Sequence, residues 1–295
     1  MTAFSGIWIP LITPFANGQV DLEALRALVV AGKTAGVSGF VALGTTGEPS
    51  ALDQDEQHAV LSTILDAAVA TPVIVGLAGN NAMDLQARVA ELNRLPIAGL
   101  LVPAPYYVRP SQQGLLDHFT SLADHSAHPL VLYDIPYRTG VQIDLSTLRC
   151  LAEHPNIVAI KDCAGSIETT LALIRDGRLA VLTGNDIEFF NTLCLGGHGA
   201  IAASAHVRTR EFVATWQAVR AGDLHGAREH YHRLVPLIQA LGSEPNPAPV
   251  KAALSILGAA DAELRAPMTR VSGPLINHLT ELLAPVNADA RGVSP

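Results

Sequence analysis

Lys161 is the residue of this 295-residue chain whose type and place most suggest chemistry. It is one of only three lysines, with Lys33 and Lys251, and it follows the apolar run Ile157-Val158-Ala159-Ile160. An ammonium that finishes a buried strand loses hydration, which lowers its pKa and supplies the neutral amine that a carbonyl substrate requires. A buried ion pair with Asp162 or another neighbour accounts for the same position equally well. Lys33 lies in a helical stretch near Gly32 and Gly36 and is expected in solvent. Lys251 starts a helix after a proline-rich turn and is expected at the surface or as a cap.

Other polar groups fall at similar places. Tyr133 ends the apolar run before that of Lys161, so the two are expected side by side. A phenol both donates and accepts, and Schiff-base formation needs several proton transfers. A core tyrosine with a satisfied hydroxyl is the plainer alternative. Gly44-Thr45-Thr46-Gly47-Glu48 offers two glycines for a sharp turn, with N–H groups and hydroxyls that form a nest for a carboxylate. An ordinary tight turn with a helix cap would read the same way. Arg138, in Tyr133-Asp134-Ile135-Pro136-Tyr137-Arg138-Thr139-Gly140, can grip a carboxylate with two parallel bonds, or be a solvated loop charge. Tyr106-Tyr107 sits in a proline-framed loop and can reach either a site or an interface.

The elements that must hold these groups recur down the chain. Eight short apolar, β-branched runs end at Thr13, Leu43, Gly76, Val102, Tyr133, Lys161, Thr183 and Ala203, 20 to 33 residues apart. Apolar runs without alternation suit strands buried on both faces of a parallel sheet. Between them lie sets with helical period, such as Leu22, Leu25, Val29 and Val30, or Val60, Leu61, Ile64 and Leu65. Eight strand–helix units of about 30 residues predict an α/β fold, a (β/α)8 TIM barrel. An open doubly wound sheet also alternates strand and helix but rarely needs eight even units. Neither GxGxxG nor GxxxxGK[ST] occurs to mark a nucleotide site. The division expected is a barrel over 1–222 and C-terminal helices over 223–295 packed on it as one unit. Helices are predicted at 208–221, 223–241, 248–257 and 273–284, with a frayed end at 287–295. In such a barrel the functional groups gather where strands end, at Thr13, Thr45, Thr46, Tyr133, Lys161, Gly184-Asn185-Asp186 and Ser204.

Bulk properties exclude several classes. With 49% hydrophobic residues and a net charge of −8, the chain is a poor partner for nucleic acid or anionic membranes. Cys150, Cys163 and Cys194 are odd in number and widely spaced, against a disulfide framework or a zinc site. His230 and His232 point apart on a helix, His125 and His128 precede Pro129 where a helix end would use them as caps, and all four are expected in solvent. No stretch of about 20 apolar residues spans a bilayer and no leader pattern opens the chain, so a soluble, cytoplasmic protein is expected.

The motifs GTTGE, PYYVRPSQQGL, YDIPYRTG, IKDCAG, LTGND, LGGHGAIAA and EPNPAPVK follow in an order and spacing that are highly specific together. From GIWIPLITPF through EPNPAPVK the chain resembles the dihydrodipicolinate synthase / N-acetylneuraminate lyase family. The resemblance implies a pyruvate-dependent lyase that needs no cofactor and no metal beyond a covalent imine on Lys161. It implies that Tyr133 shuttles protons, that Thr45 and Thr46 hold the pyruvate carboxylate with Thr45 also in the relay, and that Tyr107 completes the relay from a neighbouring subunit. That last role implies a homo-oligomer, in this family usually a homotetramer built from tight dimers. The backbones of Gly184 and Ile201 would line the pyruvate pocket, and Arg138 would bind the carboxylate of aspartate 4-semialdehyde, the small aldehyde partner. Sugar-acid lyases of the family tend to lack that arginine and to favour GSTGE, so the resemblance leans to the synthases. A lyase or dehydratase acting on another 2-keto acid shares Lys161 and Tyr133. A non-catalytic keto-acid-binding barrel would not need the Tyr133–Lys161–Thr45 set, and a metal-dependent aldolase lacks its ligand cluster. Asp134 and Tyr137 depart from the common YNVPSRTG. Gln54 and Gln57 stand where lysine-inhibited synthases carry histidines, although Asn80 and Tyr106 match that pocket, which argues against feedback inhibition by lysine.

Overall fold

A computed structural model describes residues 4–284. Its strands are β1 (Gly6–Pro10), β2 (Phe15–Ala16), β3 (Gln19–Val20), β4 (Gly39–Ala42), β5 (Val73–Gly76), β6 (Gly99–Pro103), β7 (Leu130–Asp134), β8 (Ile157–Asp162), β9 (Ala180–Thr183) and β10 (Gly199–Ile201). Its helices are α1 (Leu22–Thr34), α2 (Gln54–Ala68), α3 (Ala82–Leu92), α4 (Gln112–His125), α5 (Pro136–Thr139), α6 (Leu145–Leu151), α7 (Ile167–Asp176), α8 (Phe189–Cys194), α9 (Thr209–Arg220), α10 (Leu224–Gly242), α11 (Ala248–Ile256) and α12 (Gly273–Leu283). Eight parallel strands close in the order β1-β10-β9-β8-β7-β6-β5-β4, the expected (β/α)8 barrel. The four tail helices fall where the periodicity places them, and the frayed stretch expected at 287–295 lies outside the described residues.

Local chemistry starts most helices. Asp21, Asn81, Ser111, Ser166, Asp223 and Ser272 each accept a backbone N–H from the first turn of the helix they precede. Asp53 and Glu56 form a reciprocal capping box at the start of α2.

Strand alternation sorts side chains into two layers. Leu130 and Leu132 pack outward against the helices, whereas Val131 and Tyr133 join Trp8, Val41, Ile74, Leu101, Ala159 and Ile201 inside the barrel. β7 and β8 pair so that Val131 faces Ala159 and Tyr133 faces Lys161. Lys161 therefore continues the interior row of Ala159, and one residue on Asp134 faces Asp162. A third core joins Ile12 to apolar residues of α10, α11 and α12 and seats the tail over the barrel mouth.

Two features depart from the sequence reading. Phe15–Ala16 and Gln19–Val20 form a two-stranded antiparallel hairpin. Asn17-Gly18 at its tip, both at positive φ, is the strongest short-range hairpin signal a sequence carries. Lys251 is neither a surface residue nor a cap. It is completely buried, with its amine paired to Glu48 and donating to the Glu263 carbonyl at 2.9 Å. Lys33 is half-buried and donates to the Ala67 carbonyl at 3.1 Å.

Candidate active site

The strand ends enclose a cleft of about 750 Å³ at the carboxyl face of the barrel. Thr45, Thr46, Tyr133, Arg138, Lys161, Gly184 and Ile201 all line it, so seven of the eight residues to which the family resemblance gives a role meet in one cavity, joined by Asn185, Asp186 and Ser204 but not Thr13 from the other strand ends. Tyr107 does not line the cleft of its own chain. It is 89% exposed, at φ 71° in the loop after β6, with its N–H bound to the Thr139 carbonyl.

The amine of Lys161 lies 4.4 Å from the centre of the Tyr133 ring. Burial lowers the pKa of Lys161, and Arg138 adds to that effect, while Cys163 and Asp186 oppose it. Burial likewise holds the Tyr133 phenol well above its ordinary range, reinforced by Cys163 and Tyr137 and opposed by Arg138 and by Thr45 beside its hydroxyl. The pair thus joins an amine biased toward its neutral, nucleophilic form to a phenol that keeps its proton at neutral pH. Among the described residues Lys161 has no carboxylate within ion-pair distance, which removes the ion-pair alternative left open by the sequence.

Gly184 makes room for that amine. A Cβ at this position would stand 2.3 Å from Cε of Lys161 and 2.5 Å from Sγ of Cys163. Gly184→Ala is therefore expected to push the lysine aside while the barrel still folds. Displacing a nucleophile by an ångström costs about 10²-fold, so single-turnover imine formation should slow by that order with little change in the melting temperature.

The turn after β4 presents Thr45 and Thr46 to the cleft. Thr45–Gly47 forms one 3-10 turn, and Glu48 closes it in the left-handed region at φ 52°. The Thr13 hydroxyl donates to the Gly47 carbonyl at 2.7 Å, and Nδ2 of Asn246 donates to Oγ1 of Thr46 at 3.0 Å. Thr46 accepts that bond and keeps its own hydroxyl hydrogen free to donate.

Arg138 stands at the rim on the helical turn Pro136–Thr139, which Pro136 opens and Gly140, at φ 79°, closes. The Thr139 hydroxyl reaches the carbonyls of Ile135 and Val141, and Oδ1 of Asp134 accepts the Ile143 N–H at 3.3 Å, tying both ends of the loop. Among the described residues Arg138 has no ion-pair partner, and its guanidinium lies 5.6 Å from the Tyr137 ring centre. Asp186 accepts the Ser204 N–H at 2.7 Å, and burial raises its pKa.

Sequence reasoning missed three features in and around the cleft. Cys163 lies against Lys161, and burial pushes its thiol up to about 12. The end of α10, from Ile238 to Gly242, and the segment Ser243 to Asn246 that follows it also line the cleft. The buried Glu48–Lys251 pair was the third, and a lone cation inside the apolar helix APVKAALSI was its signal. No group of three or more His, Cys, Asp or Glu that could hold a metal occurs among the described residues. No helix among them is long and apolar enough to cross a membrane.

The chain is similar along most of its length to proteins of known type. It is 39% identical to a 4-hydroxy-tetrahydrodipicolinate synthase of Haloarcula marismortui, covering 98% of this chain and 96% of that one. With 4-hydroxy-tetrahydrodipicolinate synthase 2 of Clostridium acetobutylicum it shares 38% identity over 94% of this chain and 99% of the other. The crystal structure of a chloride-inhibited dihydrodipicolinate synthase from Acinetobacter baumannii, complexed with pyruvate, superposes with a TM-score of 0.91 at 32% identity, covering 95% of this chain and 97% of that one. Residues 3–285 match the family model described as the dihydrodipicolinate synthetase family, and with an interior lysine and tyrosine at the mouth of a closed eight-stranded barrel, the chain belongs to that family.

Proposed function

We propose that this protein condenses pyruvate with aspartate 4-semialdehyde to give 4-hydroxy-tetrahydrodipicolinate, with Lys161 as the Schiff-base residue. The observation that carries the reading is the unpaired, buried amine of Lys161 beside the Tyr133 phenol in an open cleft. The names of the curated relatives and the pyruvate complex of the similar structure support it.

In this reading the Lys161 amine attacks C2 of pyruvate, and loss of water leaves an imine. Tyr133 delivers a proton to the departing oxygen, then takes part in moving a proton from C3 as the enamine forms. The Thr45–Thr46 nest holds the pyruvate carboxylate by hydroxyl and N–H donors, and the backbones of Gly184 and Ile201 border the methyl-bearing end. The enamine carbon attacks the aldehyde, and the second substrate's own amine displaces Lys161 as the ring closes. Holding both reactants in one cleft converts their encounter into an intramolecular step. Thr45 and a Tyr107 from a neighbouring subunit complete the proton path. That role is consistent with the exposure of Tyr107 and makes a homotetramer of tight dimers part of the proposal. So are a division into a barrel over 1–222 and a helical tail over 223–295, and a cytoplasmic location.

Borohydride reduction in the presence of pyruvate tests the reading. The peptide containing Lys161 should gain a three-carbon adduct, and an unmodified Lys161 peptide under saturating pyruvate would end it. The choice of aldehyde rests on Arg138. Arg138→Ala should lower kcat/KM for aspartate semialdehyde by about 10²-fold, the weight of a charge-assisted bidentate contact, while pyruvate trapping stays intact.

A further inference from the structure

Glu48 occupies an unusual position. It is 5% exposed, in the left-handed region that a non-glycine residue adopts at a conformational cost, and it joins two 3-10 turns, Thr45–Gly47 and Pro49–Ala51. Its Oε1 meets the amine of Lys251 at 2.5 Å. That amine comes from α11, lies 4.0 Å from the Phe15 ring centre, and also holds the Glu263 carbonyl. Among the described residues Oε2 of Glu48 has no hydrogen-bond partner, so Lys251 supplies the charge that opposes this buried carboxylate.

The pair is part of a clamp from the helical tail onto the turn after β4. Asn246 holds Thr46 directly. Arg265 holds Glu56 through both oxygens at 2.6 Å and donates to the carbonyls of Ala51 and Gly18. Unlike Arg265, which is about a fifth exposed, the Glu48–Lys251 pair is sealed from water and sits one residue from the nest itself.

We propose that Glu48 and Lys251 are positioning residues for the keto-acid carboxylate: the buried pair fixes the left-handed closure of the Thr45–Gly47 turn and cancels the negative charge beside it. This rests on the cleft being a keto-acid site, and extends that reading to the second buried lysine. Lys251 is not a catalytic residue here, since it lines no part of the cleft and acts through the turn.

The test uses the full chain as the double variant Glu48→Gln/Lys251→Met, which replaces the ion pair by neutral groups of similar length, and the single variant Glu48→Gln. The readouts are circular dichroism, the pyruvate concentration that half-saturates borohydride trapping on Lys161, and KM for the semialdehyde. In a folded double variant the half-saturating pyruvate should rise about tenfold or more, with semialdehyde KM within about twofold of the unaltered protein and full trapping at high pyruvate. A role in stability alone would lower the melting temperature and leave that split flat. An unshifted half-saturation in either folded variant overturns the proposal. If neither folds, hydrogen exchange on the unaltered protein decides. Pyruvate should slow exchange in residues 44–48 and, through the pair, in 251–256, and protection confined to 44–48 overturns the proposal. Failure of the unaltered protein to trap pyruvate counts instead against the proposed function.

Discussion

Replacing Lys161 by methionine is expected to abolish pyruvate trapping and to lower kcat/KM by about 10⁴-fold or more, as loss of a covalent nucleophile does. The same change should raise the melting temperature. The amine is buried where desolvation lowers its pKa, so folding takes up an ammonium from water and disfavours its charge. The sign follows from linkage. Below the ordinary lysine value of 10.5 the unfolded chain binds a proton that the folded protein holds less firmly, so the wild-type lysine destabilises increasingly as pH falls toward its folded pKa. Methionine has no such dependence. Thermal scans from pH 9 to pH 7 should show its advantage widening, alongside trapping and turnover assays. A variant that melts no higher than the wild type at pH 7 would contradict the claim that this amine is held against its preferred charge.

Asp134→Asn is expected to give the largest gain in stability. The carboxyl is 1% exposed and faces Asp162 across the β7–β8 ladder. Its pKa is raised from 3.8 to about 7, mainly by burial, against the pull of the Ile143 N–H, with Asp162 and Asp144 adding repulsion. Between those two values the folded state keeps a proton that the unfolded chain releases. Stability contributed by this group is therefore complete below pH 4, falls as pH rises to about 7, and is level above it. An asparagine keeps an acceptor for Ile143 and cannot ionise. Urea unfolding should find its advantage over aspartate larger at pH 8 than at pH 5 by about 2 to 3 kcal/mol. Equal differences at the two pH values would place the Asp134 charge in contact with solvent instead.

Much of this arrangement was legible in the sequence because it is carried by short-range rules. Eight runs without alternation specify strands buried on both faces, and the end of each run names a residue at the barrel mouth. The spacing of the runs puts Tyr133 and Lys161 side by side, and the β7–β8 ladder pairs them directly. Lys251 was misread because local pattern is silent about contacts 203 residues apart: a single cation after a proline-rich turn looks like a cap until Glu48 is found opposite it. Asn246 escaped for the same reason, since its partner Thr46 lies 200 residues away. The hairpin at Asn17-Gly18 was lost differently. Its strands are two residues each, too short for any periodicity, and only the turn dipeptide announced them. The raised pKa of Asp134 required the register itself, because sequence alone does not say which carboxyl another will face.

The disposition of the lysines also bears on how the protein survives its own substrate. Any accessible primary amine condenses slowly with a reactive carbonyl compound, and an enzyme whose substrate is a keto acid is exposed to that side reaction. Of 19 basic residues only three are lysines, and the rest are arginines, whose guanidinium stays protonated and does not form imines. One lysine is sealed behind Phe15, one is half-covered with its amine tied to a carbonyl, and one faces the cleft. Carbonyl chemistry among the lysine side chains is thereby directed to a single address, and the outer face of the molecule carries its positive charge in a form that a keto acid leaves alone.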